Sequence, residues 1–353
     1  MSDHTITILI VEDSPAAREF LYQLMAAQPD FEVVGLATDG AEGLALADET
    51  RPDVVLMDAN MPVMNGFQAT RQIMERCPTR IIIVTASFEP HDVRTSMHSL
   101  EAGALTIVEK PWGVGHPDHR RSVQRLVDTI RTMSEVEVVR RWPARHSRAV
   151  GTVLGCPEHP YKAVAIGAST GGPRVLAQIL RDMPADLEAP IFIVQHISPG
   201  FLGGLVDWLN DESAPFIQIA ASGMRPSGGN VYFAPDDAQL GFEASGELRL
   251  SNELHVTGFR PSISHMFTAA AGLWGESVIG VLLSGMGRDG ADGFHALDTA
   301  GAATIVQDPA SCAVGSMPVA AIAAAPASVV LPPERIGTEI CRLMGREIRH
   351  AQA

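Results

Sequence analysis

Cysteine is scarce in this chain of 353 residues, and the four present, Cys77, Cys156, Cys312 and Cys341, stand far apart. No C-x-x-C pair exists, which excludes a thiolate zinc knuckle and leaves no disulfide framework of the kind small secreted domains use. The thiols are read as reduced and the protein as cytoplasmic. No apolar run approaches the roughly 20 residues that a membrane-spanning helix needs, and the opening residues carry no basic segment ahead of an apolar one. Direct membrane insertion is therefore not expected. Cations are outnumbered, 26 Lys and Arg against 41 Asp and Glu, for a net charge of −15. Nucleic acid asks for a basic footprint on its partner, so binding to it is not expected either. The stretch from Asp118 to Arg148 is a local exception with 8 Arg and 4 acidic residues; it reads as solvated helix and linker surface.

What is present suffices for two cores. Residues 5–136 alternate short β-branched runs with segments of helical period, the strands being expected at 5–11, 31–37, 53–57, 80–84 and 105–108. Ser14 as N-cap and Pro15 in the first turn open the first helix. Five strands alternating with five helices define a doubly wound parallel sheet, a five-stranded α/β domain assigned to residues 1–131. The segment 132–160, with its Arg, Pro and Gly, loses periodicity and reads as a linker. From residue 161 to 353 the alternation resumes, with strands expected at 163–166, 191–195, 216–219, 278–283 and 304–306. Helices are expected after Pro173, Phe201, Ser262, Asp289 and Met317, and a β-hairpin insertion between Asn230 and Asn252 turns at Ser245-Gly246. This second domain is again α/β and mostly parallel.

In parallel sheets the working edge lies at the carboxyl ends of the strands. Glu12 with Asp13, then Asp58, Thr85 and Lys110 stand at the ends of four different strands, so a single fold assumption gathers all five. An aspartate beside a divalent cation can accept a phosphoryl group as an acyl phosphate. Glu12, Asp13 and Asp58 offer the hard oxygen ligands that magnesium prefers, Lys110 offers a point charge, and the Thr85 hydroxyl can donate to the phosphoryl oxygens. The Lys110-Pro111 bond is left open between cis and trans. On Val-Glu-Asp-Ser, Leu-Met-Asp, Val-Thr-Ala and Glu-Lys-Pro, residues 5 to about 130 resemble the receiver domain of bacterial two-component response regulators. The resemblance implies that Asp58 is phosphorylated by a partner histidine kinase. Ile107 departs from it, since receivers often carry an aromatic residue three positions before the lysine.

The second chemistry begins at Gly167-Ala168-Ser169-Thr170-Gly171-Gly172-Pro173, a strand, a glycine-rich turn and a helix start. Such a turn exposes a serine at the strand's end, and it suits the phosphate of a nucleotide equally well. Two further segments favour a nucleophile. His196 follows the next strand in Val-Gln-His, and Asp289 follows a later one in Gly-Met-Gly-Arg-Asp-Gly, so serine, base and orienting carboxylate can share one sheet edge. Ser169 would attack an acyl carbon, His196 would carry its proton, and Asp289 would hold the imidazole. The Met286 amide would serve the oxyanion, and Thr170 would hydrogen-bond His196. Alone, His196 would read as a core histidine and Asp289 as the N-cap of the helix that follows it.

The chain order Ser, His, Asp differs from that of α/β-hydrolases. With Ala-Ser-Thr-Gly-Gly, Phe259-Arg260-Pro261-Ser262 and Ala310-Ser311-Cys312, it resembles the catalytic domain of the chemotaxis protein-glutamate methylesterases, in which a receiver precedes that domain. The resemblance implies methyl-ester hydrolysis on the cytoplasmic helices of methyl-accepting chemoreceptors and deamidation of receptor glutamines. It implies a chemotaxis histidine kinase as phosphodonor, magnesium at the receiver and no cofactor for the hydrolytic step. It also leads to the expectation that the unphosphorylated receiver obstructs Ser169. Departures lie at Gly315-Ser316-Met317-Pro318 and at Ser264-His265. Two rival readings are a non-enzymatic response regulator whose second domain binds a nucleotide or protein, and a transcription factor, for which no helix-turn-helix pattern is present.

Overall fold

The computed structural model describes residues 5–86, 98–136, 161–253 and 258–346, and the chain divides into two compact units, residues 1–143 and 144–353. Most of the expected linker lies outside the described residues, as does Cys156.

The first unit holds β1 (Ile6–Val11), α1 (Pro15–Ala26), β2 (Phe31–Ala37), α2 (Gly40–Thr50), β3 (Val54–Met57), α3 (Gly66–Arg76), β4 (Arg80–Thr85), β5 (Thr106–Glu109) and α4 (His119–Ser134). The strands form one parallel sheet in the order β2-β1-β3-β4-β5. The central strands β1, β3 and β4 are mostly Ile, Leu and Val and are buried on both faces, as a parallel sheet between helices requires, whereas the edge strand β2 is only partly buried. Ser14 caps α1 by accepting the Ala17 amide, with Pro15 in the first turn, and Asn65 with Gln68 completes a capping box on α3. Between β4 and β5 the expected helix falls partly outside the described residues, and residues 98–102 are helical. α4 continues to Ser134, three residues past the end expected for this domain. The Lys110-Pro111 bond is trans; among the described residues the cis bond is Arg260-Pro261.

The second unit runs β6 (Ala163–Ala168), α5 (Gly172–Arg181), β7 (Ile191–Gln195), α6 (Leu202–Glu212), β8 (Phe216–Ile219), β9 (Asn230–Phe233), β10 (Gln239–Phe242), β11 (Leu248–Ser251), α7 (Ile263–Trp274), β12 (Val278–Leu282), α8 (Ala291–Thr299), β13 (Ala303–Gln307), α9 (Ser316–Ala324), β14 (Val329–Leu331) and α10 (Pro333–Leu343). Seven strands form a parallel sheet in the order β14-β13-β12-β6-β7-β9-β8. The expected hairpin is smaller than the alternation implied. Only β10 and β11 make it, turning at Gly246, whereas β9 pairs in parallel with β7 and β8 inside the main sheet. β14 and α10 are additions to the expected order.

Aromatic packing anchors the hairpin. Phe242 of β10 meets Phe192 of β7 edge-on at 4.7 Å and Trp274 of α7 at 4.6 Å, while Phe192 stacks on Trp274 at 5.5 Å. This cluster fixes β10 above the sheet, and with it the fully buried Gln239, whose amide reaches toward the sheet's working edge.

Candidate functional site

In the second unit the chain leaves β6 toward β7 on one side and returns to β12 on the other. A crevice opens at such a switch point. Ser169 follows β6, His196 follows β7 and Asp289 follows β12. Ala168 pairs with Gln195, and the ladder runs one step further as the His196 amide donates to the Ala168 carbonyl at 2.9 Å. Ser169 and His196 thus occupy facing positions on adjacent strands, with backbones about 4.8 Å apart by sheet spacing. On the other flank the Ser169 amide donates to the Ser284 carbonyl at 3.0 Å, beyond the end of β12.

The imidazole is held on its edge and its face. Its Nε2 lies 3.1 Å from Asp289 Oδ2, and its ring stacks on Phe259 with centroids 4.6 Å apart and planes at 10°. Nδ1 is left as the nitrogen able to face a serine. No hydrogen bond joins Ser169 Oγ to His196 among the described residues; such contacts are often long without substrate and tighten once it binds.

Asp289 is 2% exposed. It does not cap α8, as its sequence position implies; Gly290 is the N-cap there and lends no side chain. Asp289 instead accepts the first amides of α7, Ile263 N on Oδ2 at 2.8 Å and Ser264 N on Oδ1 at 3.2 Å, and its Oδ1 also accepts from Ser262 Oγ at 2.9 Å and from the adjacent Gly290 N at 3.0 Å. Burial by itself would raise its pKa, but His196 and these donors outweigh burial and bring it down to about 2. The carboxylate therefore stays charged and can steady an imidazolium.

Several residues that sequence reasoning missed tie the loops together. Ser284 Oγ donates to the Thr170 carbonyl at 2.7 Å and accepts the Val314 amide at 3.1 Å, joining the β6 and β12 turns to the 312–315 loop. Gln195 Nε2 donates to the carbonyls of Ser169 at 2.9 Å and His196 at 2.7 Å. Gln239 Oε1 accepts the Ser262 amide at 2.8 Å, and its Nε2 donates to the Phe259 carbonyl at 2.9 Å. Of these, Phe259 and Ser262 had a signal in the Phe-Arg-Pro-Ser run and Gln195 in Val-Gln-His; Gln239 and Ser284 are ordinary polar residues whose partners are remote in sequence.

Thr170 makes no hydrogen bond to His196 among the described residues. Around Met286 the amides of Gly285 and Gly287 are engaged, by the Val314 carbonyl at 2.9 Å and Ser316 Oγ at 3.0 Å. The Met286 amide between them has no partner among the described residues, as an oxyanion donor requires. Gly171 has φ +78°, and a Cβ there would lie 2.6 Å from the Ala313 Cβ.

In the first unit the switch point lies between β1 and β3. Oxygens of Glu12, Asp13 and Asp58 lie within 4.8 Å of one another there, with Glu12 and Asp58 buried and Asp13 exposed. Lys110 Nζ bridges Glu12 Oε2 at 2.8 Å and Asp58 Oδ1 at 3.2 Å. Burial first, then repulsion from Glu12, raises the Asp58 pKa to about 6 against the attraction of Lys110. One lysine thus undercompensates a crowded anionic set, and three carboxylates at this spacing fit a divalent cation. Thr85, buried, ends β4, and its carbonyl accepts the Lys110 amide at 2.8 Å. Ile107 is buried on β5 opposite Ile83.

The chain is similar to known proteins along nearly its whole length. A family model described as CheB methylesterase matches residues 164–340, and one described as response regulator receiver domain matches residues 8–120. A protein-glutamate methylesterase/protein-glutamine glutaminase of Nitrosospira multiformis is 42% identical over 346 residues, 96% of this chain and 97% of the relative. A like-named protein of Anaeromyxobacter dehalogenans is 43% identical over 97% of this chain and 100% of its own length. Among solved structures, the Thermotoga maritima CheB methylesterase catalytic domain is 34% identical, with a TM-score of 0.50 over 52% of this chain and 98% of that one.

Proposed function

Because this chain belongs to the CheB methylesterase family, with a receiver region ahead of the catalytic one, we propose that it demethylates glutamyl methyl esters of chemoreceptors under phosphorylation control. Receptor glutamines are deamidated at the same site. The observation that carries the mechanism is the His196 imidazole, fixed 3.1 Å from a buried, charged Asp289 and on the strand neighbouring Ser169.

Ser169 Oγ attacks the ester's γ-carbonyl carbon as His196 Nδ1 takes its proton, and Asp289 stabilises the imidazolium. The oxyanion receives the Met286 amide. As the intermediate collapses, the C–OCH3 bond breaks and His196 returns the proton to the methoxy oxygen, releasing methanol; with a glutamine the leaving group is ammonia. Water then adds to the acyl-enzyme while His196 takes its proton, the ester bond to Oγ breaks, and Oγ recovers the proton. Thr170 serves this site through its carbonyl, which holds Ser284.

In the receiver, Asp58 accepts the phosphoryl group from a histidine kinase, Lys110 and Thr85 contact its oxygens, and Glu12, Asp13 and Asp58 would hold the divalent ion, read as magnesium. When bound, that ion neutralises charge developing on the transferring group. The working division is a receiver over residues 1–131, a linker over 132–160 and a catalytic domain over 161–353. The reading places the enzyme in the cytoplasm; no described helix is long and apolar enough to cross a membrane.

The test is methanol release from methylated receptor membranes with and without a small acyl-phosphate donor. The donor is expected to raise the wild-type rate about tenfold, within the usual span of coupling between sites, and Asp58→Asn to abolish that rise while keeping the basal rate. Absence of methanol overturns the esterase; a donor effect that survives Asp58→Asn overturns the assignment of the phosphoacceptor.

A further inference from the structure

We propose that Phe259 is a positioning residue for hydrolysis, one that fixes the plane of the His196 imidazole and stabilises its cationic form as the Ser169 proton is taken. The inference rests on reading Ser169, His196 and Asp289 as the catalytic set. Phe259 is 45% exposed, so its ring contributes little to the core. Its place is nevertheless closely fixed. Gln239 Nε2 holds the Phe259 carbonyl at 2.9 Å while Gln239 Oε1 accepts the Ser262 amide at 2.8 Å, and Ser262 Oγ donates to Asp289 Oδ1 at 2.9 Å. A single four-residue segment thereby sets the group at the imidazole's edge and the ring against its face.

Two constraints at right angles leave the imidazole little freedom. The 4.6 Å, 10° stack opposes tilting, and the Asp289 contact opposes rotation in the plane. The stack also discriminates between protonation states. An aromatic face carries negative quadrupole charge and attracts a cation within about 6 Å of its centroid, so the contact strengthens when His196 becomes an imidazolium. Interactions that strengthen toward the transition state raise kcat.

The surrounding charges stay in place when the ring is replaced. Asp289 faces Nε2 at 3.1 Å, and Asp236 Oδ2 accepts the Gly200 amide at 3.0 Å in the loop that follows His196. Arg260 lies 3.9 Å from Asp237 and donates to the Asn252 carbonyl at 3.0 Å; Arg288 is exposed beside Asp289. A change in imidazole titration on substituting Phe259 therefore reports the ring.

The experiment follows methanol release by the full-length protein against pH. Phe259→Leu keeps an apolar side chain without a π face. It is expected to lower kcat about tenfold with KM unchanged, and to move the acid limb of kcat/KM down by about one pH unit. Phe259→Tyr and Phe259→Trp are expected to retain both values. An NMR titration of the His196 ring in the Tyr and Trp variants gives an independent reading, with the wild-type midpoint expected. The proposal is overturned if Phe259→Leu leaves kcat and the limb in place, if only KM rises, if the limb moves up, or if the aromatic variants behave like leucine. Ser169→Ala run in parallel separates the failures. Persistent activity there removes the catalytic set itself, whereas a silent Ser169→Ala with a normal Phe259→Leu removes only the role of the ring.

Discussion

Asp289→Asn is expected to lower kcat by about four orders of magnitude and to destabilise the C-terminal unit by about 3 kcal/mol. Both effects follow from the ring of donors around the carboxylate. Ser262 Oγ and the amides of Ile263, Ser264 and Gly290 donate to its two oxygens, and His196 Nε2 lies 3.1 Å from Oδ2. An asparagine of the same shape must turn an NH2 group toward one cluster of these donors. In place of Oδ2 it faces His196, selecting the wrong tautomer, and leaves the Ile263 amide without an acceptor; in place of Oδ1 it opposes the amides of Ser264 and Gly290. The pH dependence carries the same signature. Folding lowers this carboxyl from its ordinary 3.8 to about 2, so as pH falls the unfolded chain binds the proton first. The stabilisation is complete above about pH 4 and is lost as pH drops toward 2, an amount of about 2 kcal/mol. Denaturant melts of both forms across that window check it: the gap between wild type and Asp289→Asn should narrow on acidification. A constant gap would mean that the carboxylate's charge contributes nothing.

Where a segment's own pattern determines its structure, the sequence was legible. Phe31–Ala37, Ile191–Gln195 and Phe216–Ile219 are strands over the residues expected, because each is an apolar or alternating run closed off by turn residues. Alternation of strand and helix implies parallel strands, and parallel strands bring Ser169, His196 and Asp289 to one edge of the second sheet. β9 was misplaced for a physical reason. Its pairing with β7 and β8 is non-local, whereas the nearby turn at Gly246 makes a hairpin the natural local reading. β14 is three residues, Val329–Leu331, cut short by Pro332-Pro333, too brief to show a period. The cap reversal at Asp289 was equally hidden, since an aspartate ahead of a helix gives no hint that a different helix will present its amides to it. Gln239 and Ser284 belong with these. Their roles are hydrogen bonds between loops, visible only once the loops are in place.

The largest kinetic loss is expected from Ser169→Ala, about a millionfold in kcat, the residue that remains coming from the oxyanion donor and substrate binding. Its stability should be within about 0.5 kcal/mol of wild type, because Ser169 Oγ makes no hydrogen bond among the described residues and its backbone is held by Ser284 and Gln195. Gly285→Ala tests the same serine from the opposite direction, leaving the hydroxyl in place but crowding it. A Cβ at Gly285 would lie 2.7 Å from Ser169 Cβ and 2.2 Å from Met317 Sδ. Met317 is fully buried but ends in a flexible thioether, whereas the Ser169 Cβ is tied to a backbone held by Ser284 and Gln195. The nucleophile must shift, and displacement on the scale of 1 Å costs about a hundredfold in kcat. Pairing Gly285→Ala with Met317→Ala relieves the sulfur clash and should leave kcat low. Recovery of the wild-type rate in that double variant would show that the crowding acts through α9 and that Ser169 has room to spare.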